Sequence, residues 1–496
     1  MQLSKNTISQ IQNKNIPAPS TQLFAVPERI LQFGTGVLLR GLCDYFIDKA
    51  NKKNIFNGRV VVVKSTSQGD TDAFEKQDGL YTHVVKGIED GKVVEQTIIN
   101  ASISRVLSAK EEWNEILKCA ANADMQIIIS NTTEVGIGYM EENIFEQVPV
   151  SFPGKLLAWL YERYKFFAGA ADAGMIIIPT ELIVDNAIRL KDILIKLAHY
   201  NVPDESFITW LQTANHFCSS LVDRIVPGKI SVPKSDLGYK DDLMIMSEVY
   251  CLWAIETGDE KVKQTLSFAK ADKGVVLASD IYKYRELKLR LLNGPHTLCC
   301  GIAVLAGFAT VKEAMEDAGF REYIISLMLK EIVPAIVDEQ INYAEAETYS
   351  RQVIDRFRNP YLEHKWLSIA LQYSSKMLMR NIPILQKYYA KHNAVPPLIA
   401  VGFAAYILFM KSERNGKDEF IDTVAGCSYT IKDDKAIQLY SHWLKGDTTN
   451  VVQHILADET LWSANLNLLP GFTDAVIKNI QIITTSGMKK LIQQPL

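Results

Sequence analysis

Four short runs rich in β-branched and aliphatic residues stand out in the first part of the chain: Arg29–Gly34 (RILQFG), Arg59–Lys64 (RVVVVK), Met125–Asn131 (MQIIISN) and Met175–Thr180 (MIIIPT). Their apolar residues are consecutive and do not alternate with polar ones, the pattern of strands buried on both faces of a parallel sheet. Helical stretches lie between them, which predicts a sheet wrapped by helices. Leu80–Val106 carries strand-like pieces around Gly87 and Gly91 and reads as a β-hairpin insertion. Beyond about residue 240 the strand signal fades. Asp241–Ile255, Ile281–Leu292, Thr297–Leu305, Arg321–Leu329 and Pro396–Met410 read as helices separated by proline and glycine. Residues 1–25 read as an arm or first helix that ends in the Pro17 to Pro27 region. The expected organisation is an N-terminal arm (1–25), an α/β domain with a mostly parallel sheet and a β insertion (26–275), and an all-α C-terminal domain (276–496).

Length supports that division, because a chain of 496 residues exceeds the roughly 250–300 residues at which single cores stop growing. The net charge of −4, with 22% charged residues, provides neither a basic field for nucleic acid nor an acidic tail, so small-molecule partners are expected. Seven cysteines (Cys43, Cys119, Cys218, Cys251, Cys299, Cys300 and Cys427) form an odd set without a CxxC pair, which reads as reduced thiols. The opening MQLSKNTISQIQNKN is polar and lacks the apolar core of a signal peptide. No window approaches the roughly 18 apolar residues of a membrane span. A cytoplasmic protein without nucleic-acid or membrane partners, monomeric or a small homo-oligomer, is the expectation.

The first run leads into Gly34-Thr-Gly36-Val37-Leu38-Leu39-Arg40, which opens an apolar-periodic helix. In a dinucleotide-binding turn the first glycine makes the tight bend, and the second lets backbone N–H groups approach a pyrophosphate. Both are present, and Leu39 stands where a third glycine is usual. The same glycines would also suit a turn without a ligand. With this motif the α/β domain reads as Rossmann-type, and Phe33, Gly34, Gly36, Val37, Leu38 and Arg40 become candidate cofactor contacts. The second run ends in Lys64 and Ser65, with Asp70 further on, where an acidic residue would grip a ribose 2′-hydroxyl; Lys64 would favour a 2′-phosphate. NAD and NADP both stay open on this chemistry. The third run passes into Asn131, Thr132, Thr133 and Glu134, which would line a nicotinamide or simply cap the next helix.

Lys288-Leu-Arg-Leu-Leu-Asn293-Gly-Pro-His296 places an amine, an amide and an imidazole in an apolar setting. On a straight helix they would span an arc of about 140°, with Lys288 and His296 about 12 Å apart along the axis. Gly294-Pro295 predicts a bend or break that draws them toward one cavity. Flanking Leu289, Leu291, Leu292 and Leu298 would desolvate the amine and fit it for proton transfer. Alternatively, Lys288 belongs to the charged face of KYRELKLR, and Asn293 and His296 are capping residues. His296 with Cys299 and Cys300 does not make a metal site, because adjacent cysteines on a helix do not point at one ion; no metal is expected.

These motifs resemble the mannitol dehydrogenase family of polyol-specific long-chain dehydrogenases, most closely the branch that acts on tagaturonate and altronate. Its Lys-x4-Asn-x2-His signature matches Lys288, Asn293 and His296, and its Gly-x-Gly-x-Phe-x-Arg matches Gly34, Gly36 and Arg40, with Leu38 at the phenylalanine. Further similarity lies in DGLYT (78–82), SNTTEVG (130–136), PTELI (179–183), LVDRIVP (221–227), LWAIE (252–256) and RFRNP (356–360). The resemblance implies a Rossmann-type domain followed by a helical one, NAD as cofactor with NADP not excluded, and metal-independent carbonyl reduction. It assigns Lys288 as general acid/base, with Asn293 and His296 orienting and polarising the carbonyl. The implied substrate pair is tagaturonate and altronate; fructuronate/mannonate and mannitol/fructose are the alternatives, and a non-catalytic nucleotide sensor is the alternative from another class. Polyol enzymes carry Cys-Asp-Asn-Leu where this chain has Thr180-Glu181-Leu182-Ile183, so Asn186 is the candidate replacement donor and Asp223 a further substrate group. A uronate carboxylate calls for a cation. Arg356, Arg358, Lys376 and Arg380 are the candidates, with Arg358 and Lys376 preferred.

Overall fold

The computed structural model describes the chain apart from residues 14, 66–70, 133–135, 203, 229–236, 417–418, 425–426, 445 and 494–496, and apart from the Cys427 side chain. The chain divides into two units, Met1–Lys86 with Val93–Ile281, and Gly87–Lys92 with Tyr282–Leu496.

The strands up to residue 278 are β1 (Glu28–Phe33), β2 (Arg59–Lys64), β3 (Tyr81–Glu89), β4 (Lys92–Asn100), β5 (Ile103–Ser108), β6 (Ile127–Ser130), β7 (Ile176–Pro179), β8 (His216–Phe217), β9 (Ser220–Asp223), β10 (Ile245–Ser247), β11 (Leu252–Glu256) and β12 (Val275–Ala278). Six of them form one parallel sheet in the order β5-β2-β1-β6-β7-β8. Both faces are buried. Val60, Val62, Ile127, Ile129, Ile176 and Ile178 pack on one side with Leu39, Leu42 and Phe46, while Val61, Val63, Ile128 and Ile177 pack on the other with Leu156, Leu157 and Trp159. That two-sided burial is why the strands read as unbroken apolar runs. The chain builds outward from β1 through β2 to β5 and then returns to β6, so the order reverses between β1 and β6. A doubly wound sheet binds its ligand at such a reversal, beyond the strands' carboxyl ends.

Three sequence expectations change. The first 25 residues are not a free arm: Leu3, Ile8 and Ile16 are buried in a cluster with Leu80, Ile99 and Tyr239. Asp241–Ile255 is not a helix. It supplies β10, which pairs with β3, and β11, which pairs with β9 and β12. Those partners lie far away in sequence, and Asp241 anchors the segment by accepting from Thr82 N and Gln77 Nε2 (2.8 Å to the latter). The insertion contains only β3 and β4, because β5 belongs to the main sheet.

The second unit is largely helical, and it also holds a three-stranded antiparallel sheet of β13 (Glu413–Arg414), β14 (Phe420–Val424) and β15 (Cys427–Thr430). At its centre helices Gly294–Leu305 and Pro397–Phe409 cross where glycines remove the side chains. A Cβ at Gly301 would lie 2.7 Å from the Ala405 carbonyl, and one at Gly402 2.3 Å from Leu298 Cγ.

Gly294-Pro295 does not break the chain as expected. Helix Tyr282–Leu287 continues as a π-helical segment, Lys288–Asn293, and then as the α-helix from Gly294, with Gly294 N donating to Leu289 O. A second π segment, Leu327–Ile332, runs into Val333-Pro334 in the same way. Proline has no N–H and crowds the carbonyl four residues back; an i→i+5 turn relieves both conditions without ending the helix. No helix among the described residues is long and apolar enough to cross a membrane.

Candidate active site

At the sheet's reversal point, Gly34 takes φ +127°, and a Cβ there would lie 3.0 Å from the Asn131 carbonyl and from Leu39 Cδ1. Only glycine fits where the ends of β1 and β6 come this close. Gly36, by contrast, has an ordinary φ of −61°, and a Cβ on it would meet nothing within 4 Å. It opens helix Val37–Gly41 with no side-chain cap. Its missing side chain therefore keeps space clear beside uncapped N–H groups, which suits a pyrophosphate.

The other cofactor candidates divide by burial. Val37 and Leu38 are half-buried at the turn. Phe33 is fully buried, edge-on to Phe152 at 5.1 Å, and its carbonyl accepts from Asn131 N at 3.1 Å, so its part is to hold the turn. Arg40 points inward: its Nη1 donates to the Leu243 carbonyl, and its guanidinium lies over Tyr81 at 5.4 Å and Phe74 at 5.6 Å. It therefore braces the interior and does not reach for a phosphate. Lys64 is buried at the end of β2. Thr133 and Glu134, together with Asp70, lie outside the described residues.

Asn131 and Thr132 join a network that sequence reasoning missed. Glu181, just after β7, is buried and accepts from Thr132 N (2.8 Å), Thr132 Oγ1 (3.0 Å) and Ser130 Oγ (3.1 Å). Burial raises its carboxyl's pKa against the pull of those donors. Asn131 Nδ2 donates to the Thr180 hydroxyl at 3.0 Å. An acid directly after a parallel strand was the available signal, because such positions border the ligand crevice.

Asn186, the candidate second donor to substrate, has no donor to spare. Its Nδ2 reaches the carbonyls of Pro179 (3.0 Å), Glu181 (3.0 Å) and Ser220 (3.1 Å), and its Oδ1 accepts from Ser220 N at 3.1 Å. It ties β7 to β9 in place of serving a ligand. Asp223 is buried at the end of β9, opposite Leu252.

In the second unit, Lys288 and Asn293 are half-buried at the two ends of the π segment, and His296 is buried in the first turn of the following helix. Leu291, Leu292 and Leu298 pack into the core. The His296 ring stacks on Phe357 with centroids 4.0 Å apart and meets His364 and Trp366 edge-on at 5.4 and 6.1 Å. Its Nε2 is buried without a hydrogen-bond partner. Burial, then the nearby His364, Arg356 and Arg380, push its pKa well below the usual histidine range, so the imidazole is neutral and poised to hydrogen-bond.

The four basic candidates separate. Arg356 falls on the buried stripe of helix Tyr343–Phe357 with Val353 and Phe357 and is only 6% exposed. Arg358 lies past that helix's end, its side chain 44% exposed and 4.0 Å from Asp355. Arg380 donates to Thr297 Oγ1 at 2.9 Å, and Lys376 to the Ile369 carbonyl at 2.8 Å. Arg356, Lys376 and Arg380 thus converge around His296 and His364, and Arg358 does not. Among the described residues no group of three or more His, Cys, Asp or Glu is placed to hold a metal ion.

A glycine turn at the reversal of a doubly wound parallel sheet defines a dinucleotide-binding Rossmann-type protein. Residues 28–267 match the mannitol dehydrogenase Rossmann domain, and residues 280–484 the mannitol dehydrogenase C-terminal domain. The chain belongs to the mannitol dehydrogenase family. It is 37% identical over 491 residues to an altronate oxidoreductase of Bacillus subtilis (97% of each chain) and 37% identical over 482 residues to that of Halalkalibacterium halodurans (94% of this chain, 93% of that one). The fold is that of a D-sorbitol dehydrogenase solved without substrate (TM-score 0.79, 19% identity, 99% and 100% of the two chains covered). It is also that of Pseudomonas fluorescens mannitol 2-dehydrogenase in a ternary complex with NAD and D-mannitol (TM-score 0.68, 22% identity, 100% of both covered).

Proposed function

We propose that this chain is an NAD-dependent oxidoreductase that interconverts tagaturonate and altronate, with Lys288 as the proton donor and acceptor. The observation that carries the reading is the near-full-length identity to altronate oxidoreductases, 35–37% over 94–97% of the chain.

The residues at the sheet's reversal point fit the cofactor: Gly36 leaves the approach open, and Glu181 holds Asn131 and Thr132 at the crevice edge. A nicotinamide dinucleotide bound there supplies the hydride in reduction and accepts it in oxidation. Lys288 gives its proton to the carbonyl oxygen as that oxygen gains electron density, and takes one from the hydroxyl in the reverse direction. Asn293 and neutral His296 donate hydrogen bonds to the same oxygen and stabilise its developing charge. His296 is suited to this because its low proton affinity keeps it from competing with Lys288 as the acid.

The test is steady-state turnover by the full chain with tagaturonate, fructuronate and fructose, followed through oxidation of the reduced nicotinamide. Turnover of fructose with none on either uronate refutes the reading. Lys288→Ala should lower turnover by a factor on the order of 10² or more with cofactor affinity near that of the wild type; unchanged turnover removes the assigned role. Titration with NAD and NADP decides the cofactor, with NAD expected to bind more tightly.

A further inference from the structure

We propose that Arg380, pinned by Thr297 and flanked by Lys376, is the anchor for the substrate's carboxylate and so sets the preference for a sugar acid over an uncharged sugar alcohol. This rests on the reading of the chain as an oxidoreductase of a hexuronate and its aldonate.

Position is the first support. Thr297 follows His296 directly and is fully buried, so the 2.9 Å bond from Arg380 Nη1 to Thr297 Oγ1 fixes the guanidinium one residue away from the imidazole. That bond occupies one corner of the fork. The Nε and Nη2 edge has no protein partner, and its two parallel N–H groups match the two oxygens of a carboxylate.

Charge is the second support. Among the described residues neither Arg380 nor Lys376 makes an ion pair, although they lie four residues apart on helix Tyr373–Arg380. Burial lowers the pKa of both, and Arg380 lowers that of Lys376 further. The one acid acting on either is Asp433, the smallest influence on Lys376. Two partly desolvated, mutually repelling cations are unfavourable until an anion arrives. Arg358 offers no such setting, being exposed and facing Asp355.

The experiment compares the full-length wild type, Arg380→Gln and Arg380→Lys. The substrates are altronate and the hexitol in which CH2OH replaces the carboxylate, read as substrate or as competitive inhibitor. Altronate binding is also measured by calorimetry with NAD present. In Arg380→Gln the discrimination for altronate over the hexitol should fall by about 50-fold, the loss appearing in KM more than in kcat. Arg380→Lys, which keeps the charge and loses the fork, should fall about 10-fold. If either variant binds altronate as the wild type does, or loses affinity for acid and hexitol equally, the anchor is refuted. A wild type that fails to turn over altronate refutes the proposed reaction instead, and the calorimetry still decides the anchor.

Discussion

Replacing Asn186 separates a structural amide from a ligand-binding one. Its side chain is fully buried and engaged at both ends, donating to three carbonyls at 3.0–3.1 Å and accepting from Ser220 N at 3.1 Å. Asn186→Ala leaves the Ser220 N–H and at least one carbonyl without a partner away from water. Each such group costs about 1–3 kcal/mol, so the loss should be roughly 3–5 kcal/mol, confined to the first unit. Asn186→Asp should be no better, because its carboxylate keeps the Ser220 bond and turns oxygen toward three carbonyl oxygens. Hydrogen exchange in increasing urea, read on the amides of β7 and β9, reports the loss directly. At low temperature, where the variant stays folded, KM for the sugar should be within a few-fold of the wild type. A stability loss below about 1 kcal/mol together with a KM raised by tenfold or more would refute the structural role and return Asn186 to the substrate.

Three further outcomes are expected. Gly36→Ala should leave stability within about 0.5 kcal/mol, since its φ is ordinary and the new methyl meets nothing, yet weaken the dinucleotide by about tenfold or more; equal affinity in a fluorescence titration would mean the turn does not cradle a phosphate. Gly34→Ala should lower both, because its positive φ and the 3.0 Å approach to the Asn131 carbonyl strain the fold itself. Asp44 is fully buried, bonded by Gln32 Nε2 at 3.3 Å, and burial raises its pKa to about 7. Its folded value exceeds its unfolded one, so the wild type is most stable below about pH 4 as far as this group is concerned and loses stability as pH rises toward 7. Asp44→Asn should remove that slope, a difference on the order of 3–4 kcal/mol at pH 8 measured by denaturation across pH; parallel profiles for the two chains would show that Asp44 does not titrate in this range.

Much of the molecule could be read from the chain, for local reasons. The strands β1, β2, β6 and β7 are buried on both faces, so their sequence carries a continuous apolar signal that needs no knowledge of partners. The Lys288 to His296 segment likewise carries its chemistry in nine consecutive positions. β10 and β11 could not be read that way, since what makes them strands is pairing with β3 and β9. The choice among basic residues was partly legible. Arg356 shares the stripe of Tyr349, Val353 and Phe357 on its helix, and Arg358 steps off it. Asn186 and Arg40 carry types suited to ligands, and only the hydrogen bonds show that the fold has already used them.

The π segment from Lys288 to Asn293 makes this region sensitive to residue count as well as to residue type. Its widened turn accommodates a residue that an α-helix of the same height would not hold. Excising any one of Leu289 to Leu292 would let the ladder close in the narrower form, and everything downstream would swing by about 100° and retreat by about 1.5 Å. His296 would then take a new bearing relative to Lys288, with every side chain of the group still present. Single-residue deletions here should therefore abolish turnover where conservative exchanges among the leucines do not, and relatives of this chain should vary in those letters without varying in their number.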